Sequence, residues 1–218
     1  MSNEMNIKHH LSAQLLMGYS AGTLPEAFNL VVATHVSLCD DCRAALASYD
    51  AVGGSVLEHC DSVAMDDTAL SATMKRIAAR DTAPTAPRPV SSGIFPTPLQ
   101  DYVGGDLDAV KWRPVGGGVR QAILKTSPEA SLRLLHIPAG TSVPDHGHRG
   151  LELTLVLQGA FHDEKDRFAR GDIEIADEQL EHTPVAEHGQ DCICLAATDA
   201  PLKFNSLLAR IAQPFLRI

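Results

Sequence analysis

Apolar positions change rhythm partway along the chain. Up to about residue 80 they recur three and four apart; beyond about residue 99 they fall in short runs punctuated by glycine and proline. In the first stretch, Leu15, Leu16 and Tyr19 follow Ser12, which predicts a helix capped by the serine and closed at Gly22. Pro25 suits the first turn of a second helix, through Phe28, Val31 and Val32 to His35. A third begins near Cys39, with Asp40 and Asp41 at its positive end, and runs through Leu46 and Tyr49 toward Gly53. Asp66 and Asp67 open a fourth, with Leu70, Met74 and Ile77 on one stripe. In the second stretch Arg120–Leu124, Leu132–Ile137, Leu153–Leu157, Ile173–Ile175 and Cys192–Leu195 are β-prone, and their spacing predicts a sandwich or barrel. Between the two stretches, residues 81–98 carry five prolines, which remove backbone donors and oppose helix. The chain therefore divides into a helical part at 1–80, a linker at 81–98 and a β part at 99–218, an α + β two-domain class.

Composition narrows the partners. Of 218 residues 44% are hydrophobic, enough for a packed core, but aromatics are only 5%, so the core rests on Leu, Val, Ile and Ala. Formal charge is −9, and neither part has a basic excess: residues 1–80 hold 5 basic and 9 acidic side chains, residues 81–218 hold 13 and 18. That argues against direct DNA binding and for a protein or small-molecule partner. The start has no apolar leader, and no run approaches the roughly 20 apolar residues that cross a bilayer, so a cytoplasmic protein without membrane contact is expected. Five cysteines in a reducing compartment favour thiol or metal roles over disulfides.

Two clusters carry chemistry. In His35-x3-Cys39-x2-Cys42 the thiols share a face at a helix start, where thiol pKa falls, and His35 ends the preceding helix. Two thiolates and imidazole suit a closed tetrahedral zinc site, with His10 preferred to His9 as fourth ligand. Such a staple compensates for the meagre core of a module of about seventy residues. The second cluster is Gly140-x5-His146-x-His148-x3-Glu152-x6-Gly159, followed by Gly171-x10-His182. His146, His148 and Glu152 alternate on one side of a strand, with His182 from a neighbour. Three imidazoles and a carboxylate suit Zn²⁺, Mn²⁺, Fe²⁺ or Ni²⁺ and leave room for an open position. Cys192 and Cys194 also face one way; inert burial is the commoner role for such a pair, and a redox role is the alternative. Cys60 reads as a partly packed or exposed thiol, His162 and His188 as surface groups, and Trp112 as a packing anchor.

The second cluster resembles the cupin signature, matched without gaps from Gly140 to Gly159; of the second cupin motif only Gly171 and His182 fit. The first is similar to the zinc-binding anti-sigma domain, at His10, His35, Cys39 and Cys42. Their order across a proline linker resembles the ChrR family of bacterial anti-sigma factors. The resemblance implies a zinc-stapled four-helix domain that blocks the RNA polymerase-binding surfaces of an extracytoplasmic-function sigma factor. It also implies a C-terminal antiparallel β-barrel of cupin type that binds a second zinc and is needed for the response to singlet oxygen and related oxidants. The competing expectations are a cupin metalloenzyme of dioxygenase or isomerase type, and a small-ligand sensor.

Overall fold

The computed structural model describes residues 6–79, 93–147, 149–201 and 203–204, with backbone alone for His146, Lys203 and Phe204. Helix α1 (Ala13–Ser20) starts where the Ser12 side chain accepts the Leu15 N–H, and ends before Gly22, whose φ of 66° suits glycine. Helix α2 (Glu26–Val36) follows Pro25 and buries Ala27, Phe28, Leu30, Val31, Val32, Thr34 and His35. Helix α3 (Asp40–Glu58) is capped by the Cys39 sulfur, which takes the Cys42 N–H. It runs past the stop expected at Gly53, because a glycine weakens a helix interior by about 1 kcal/mol without ending it. Helix α4 (Ala69–Ala78) begins after Thr68, whose amide and hydroxyl both donate to Asp66.

A fifth helix, α5 (Thr97–Val103), was not foreseen. The linker expected at 81–98 thus overruns: residues 81–92 lie outside the described residues, but Ile94 and Phe95 are folded, their amides donating to Asp106. Phe95 and Leu99 are buried. Proline at residues 96 and 98 starts this helix rather than preventing it, since the first turn needs no proline N–H.

The strands are β1 (Arg113–Gly116), β2 (Val119–Leu124), β3 (Ser131–Ile137), β4 (His146–Gly147), β5 (Glu152–Gln158), β6 (Ala160–His162), β7 (Arg167–Ala169), β8 (Ile173–Ala176), β9 (Glu181–His182), β10 (Val185–Ala186), β11 (Cys192–Thr198) and β12 (Lys203–Phe204). All pairings are antiparallel. A six-stranded sheet, ordered β1-β2-β3-β11-β5-β8, contains all five of the β-prone runs; two three-stranded sheets, β10-β6-β7 and β12-β4-β9, accompany it. The expected four helices and closed barrel are therefore modified among the described residues: there are five α-helices, and the three sheets do not join into a continuous ring.

Alternation along the central strands gives the sheet two unlike faces. Leu132, Leu134, Leu153, Leu155, Leu157, Ile193, Leu195 and Ala197 share one core with Leu15, Leu16, Phe28, Val31, Val32, Phe95 and Leu99. Helix α2 packs on β11, β5, β3 and α5, so the helical and β parts bury a single apolar interior. Glu26 reinforces the junction by accepting from the Tyr102 hydroxyl and the Ser127 amide. On the other face Val156, Cys192 and Cys194 pack with Phe161, Phe168 and Ala186.

Candidate metal centres

The helix ends bring His10, His35, Cys39 and Cys42 together. One ligand atom from each lies within 4.8 Å of all the others. His10 Nδ1 is 3.3 Å from Cys39 Sγ and 3.8 Å from Cys42 Sγ, and His35 Nε2 is 3.3 Å from Cys42 Sγ. Metal–ligand lengths of about 2.3 Å to sulfur and 2.0–2.1 Å to nitrogen put tetrahedral S···N edges near 3.6 Å, so the donors already stand at the separations such an ion needs. Burial pushes the Cys42 thiol up to about 11 and lowers His35 to about 4. The neutral imidazole is the ligating form; the thiol needs a cation to ionise it. The donor set thus fits zinc. His9 is not part of it: its ring lies 4.3 Å from Phe168, and its Nε2 is 3.0 Å from Asp166. Cys60 is exposed at the far end of α3.

In the β part the residues proposed from sequence are only partly described. His146 in β4 pairs in register with His182 in β9. His148 lies outside the described residues, as does the side chain of His146. Glu152, in β5, accepts from the Thr154 hydroxyl at 3.2 Å and is near enough to Glu174 to oppose its ionisation. His182 is 3% exposed, and its Nδ1 stands 3.0 Å from Glu174 Oε1 and 3.3 Å from Asp163 Oδ2. These three form a second cluster of potential ligands. Carboxylates only accept, so Nδ1 carries the proton and Nε2 is left for a metal.

Burial raises the Glu174 carboxyl, partly offset by His182. Burial opposes charge on His182 too, but Glu174 and Asp163 outweigh it and raise the imidazole. Asp163 is held below the ordinary carboxylate range: burial works against this, and the amides of Asp166 and Lys165, with His182, prevail. Sequence reasoning missed Asp163 and Glu174. A charged residue between Ile173 and Ile175 is a signal for Glu174, because the position alternates onto the face opposite Ile173; Asp163, in a turn of four charged residues, carries no such signal.

Cys192 and Cys194 are buried with sulfurs 3.5 Å apart. Cys192 and burial together push Cys194 well above the ordinary thiol range, away from the reactive thiolate. His162 and His188 are exposed, and Trp112 packs against the main core.

A four-donor His/Cys cluster at the ends of helices, joined to an antiparallel β region, marks a two-part protein with a potential metal site in its helical part. Residues 100–201 match the ChrR cupin-like domain family. The anti-sigma-E factor ChrR of Cereibacter sphaeroides is 62% identical over 214 residues, 98% of this chain and all of that protein. A crystal structure of Rhodobacter sphaeroides SigE in complex with the anti-sigma ChrR superposes with a TM-score of 0.78 at 60% identity, covering 89% of this chain and all of that one. The chain belongs to the ChrR family of anti-sigma factors. Members are regulators rather than enzymes, which sets aside the metalloenzyme alternative.

Proposed function

We propose that this chain is an anti-sigma factor that captures an extracytoplasmic-function sigma factor and releases it under singlet oxygen or related oxidative stress. Residues 1–80 form the capturing module of α1–α4, and the chain from Ile94 onward, joined to it through the proline-rich stretch that begins at residue 81, forms the cupin-type domain that senses the signal. Two zinc ions are expected, one on His10, His35, Cys39 and Cys42, the other on His146, His148, Glu152 and His182. Bound zinc neutralises two thiolates and fastens the N-terminal arm, α2 and α3 at one point. Inhibition requires occlusion of a surface and no bond-making. The protein acts in the cytoplasm without contacting DNA; no helix among the described residues is long and apolar enough to cross a membrane.

The observation that carries this reading is the apolar surface left open along the far half of α3 and on α4. Helix α4 buries none of its residues, and Leu70, Met74 and Ile77 are 74%, 56% and 61% exposed. Val52, Val56 and Leu57 on α3 and Val63 and Met65 between the helices are equally open. Exposure on this scale marks a protein-binding surface, and a sigma factor is what the related ChrR chain is seen with. The test is co-expression with a candidate sigma factor, scoring sigma-dependent transcription. Cys39→Ala should relieve inhibition; chelator-treated protein that still captures sigma as tightly as before would overturn the reading.

A further inference from the structure

The N-terminal arm that leads into His10 is held by the β domain as well as by the helices. Asp172, buried in the turn between β7 and β8, accepts the Lys8 amide at 2.6 Å and the His9 amide at 3.0 Å on one oxygen, and the Ala169 amide at 2.8 Å on the other. The Ile173 amide then donates to the His9 carbonyl at 3.3 Å, so the arm lies along the free edge of β8. Gly171, at φ 92°, approaches Ile7 so closely that a Cβ there would stand 2.7 Å from its side chain. The arm that leads into His10 therefore depends on one turn of the other domain.

That turn also leads into the second cluster. Glu174, one residue beyond Ile173, is 3.0 Å from His182 Nδ1. Asp163, which shares that His182 nitrogen with Glu174, accepts the Lys165 and Asp166 amides, both at 2.8 Å, and Asp166 Oδ2 is 3.0 Å from His9 Nε2. Two short routes, one through β8 and one through the 163–166 turn, join the groups around His182 to the residue preceding His10.

We propose that the Gly171–Asp172 turn is the outer support of the first metal site and couples it to His182, with Asp172 as the positioning residue. The inference rests on the zinc reading of the first cluster. Outer partners of metal ligands set their orientation, and coupling between sites acts equally in both directions. A disturbance at His182 thereby loosens the metal that staples the sigma-binding helices, with no new contact to sigma.

The test is a cobalt(II) titration of the full-length metal-free protein, followed by the thiolate-to-cobalt charge-transfer band, which reports the sulfur-ligated site. Asp172→Ala should weaken this site by about tenfold or more. Ile7→Ala, on the arm and only partly buried, should weaken it at least about threefold, and so should His182→Ala. Hydrogen exchange at the Lys8 and His9 amides should accelerate in Asp172→Ala while far-UV circular dichroism is retained. Affinity within about twofold of the parent in a folded Asp172→Ala protein overturns the support, and Ile7→Ala decides the matter if Asp172→Ala does not fold. Unchanged affinity in His182→Ala overturns the coupling. A charge-transfer band that survives replacement of both Cys39 and Cys42 by alanine would instead count against the cluster itself, a different outcome from either.

Discussion

Individual residues here are constrained most where backbone and chemistry leave one solution. Cys39 has two roles: its sulfur caps α3 and is a donor of the first cluster. Alanine at this position removes both, so Cys39→Ala should lower the thermal midpoint even without metal, by the roughly 0.5–2 kcal/mol of a lost cap. Differential scanning calorimetry of the metal-free proteins checks this. Gly159 is the other extreme, a residue required for what it lacks. Its φ is 69°, and a Cβ would stand 2.7 Å from the Asp191 carbonyl, a backbone atom that cannot swing away. Gly159→Ala should cost at least about 1–2 kcal/mol from the left-handed conformation alone, measured by urea unfolding. The spacing of the cupin signature pointed to this glycine; the neighbour it must avoid is set by β11, more than thirty residues away.

Among the elements, α2 and α4 are opposites. Both read as amphipathic helices in the sequence. Helix α2 is buried between α1, α3, α5 and the central sheet, so its apolar side chains serve the fold. Helix α4 leaves its apolar stripe exposed among the described residues. Leu70→Asp with Met74→Asp should therefore leave the melting temperature within a degree or two while weakening sigma capture at least about tenfold, as expected for central apolar anchors of an interface. Calorimetry of the free protein and a pull-down titration with sigma separate the two effects. A comparable change in α2 would unfold the protein: Val31 and Val32 are fully buried. The difference between the two helices lies in what surrounds them, which periodicity does not encode.

At the scale of the whole molecule, the two parts are less separable than a proline-rich connection suggests. They share one apolar core across α2 and the sheet, and the arm bearing His10 is bound to Asp172. Deleting everything after residue 85 exposes the sheet-facing side of α2 and frees the arm. The fragment should still capture sigma at saturating zinc, because its ligands and α4 remain, but should need about ten times more free zinc to do so. Sigma binding measured across zinc-buffered solutions tests this; identical zinc dependence for fragment and full chain would mean that the core contact and the arm contribute nothing to the site. At saturating zinc, only the full chain should respond to oxidant.

By itself the sequence determined the elements and the local chemistry. Period and caps located α1 and α2, alternation located the five main strands, and the spacing of His35, Cys39 and Cys42 placed donors that must meet at the junction of two helices. These features are local, governed by interactions a few residues apart. The tertiary structure alone decided the rest. It turned the expected end of the linker into α5, turned His9 away from the cluster onto Phe168 and Asp166, and set Asp163 and Glu174 on His182. It also placed Asp172 beneath the N-terminal arm. Each of these depends on groups distant in the chain that meet only when apolar faces are buried together, and burial is what makes an isolated carboxylate seek the amides and imidazoles found around it.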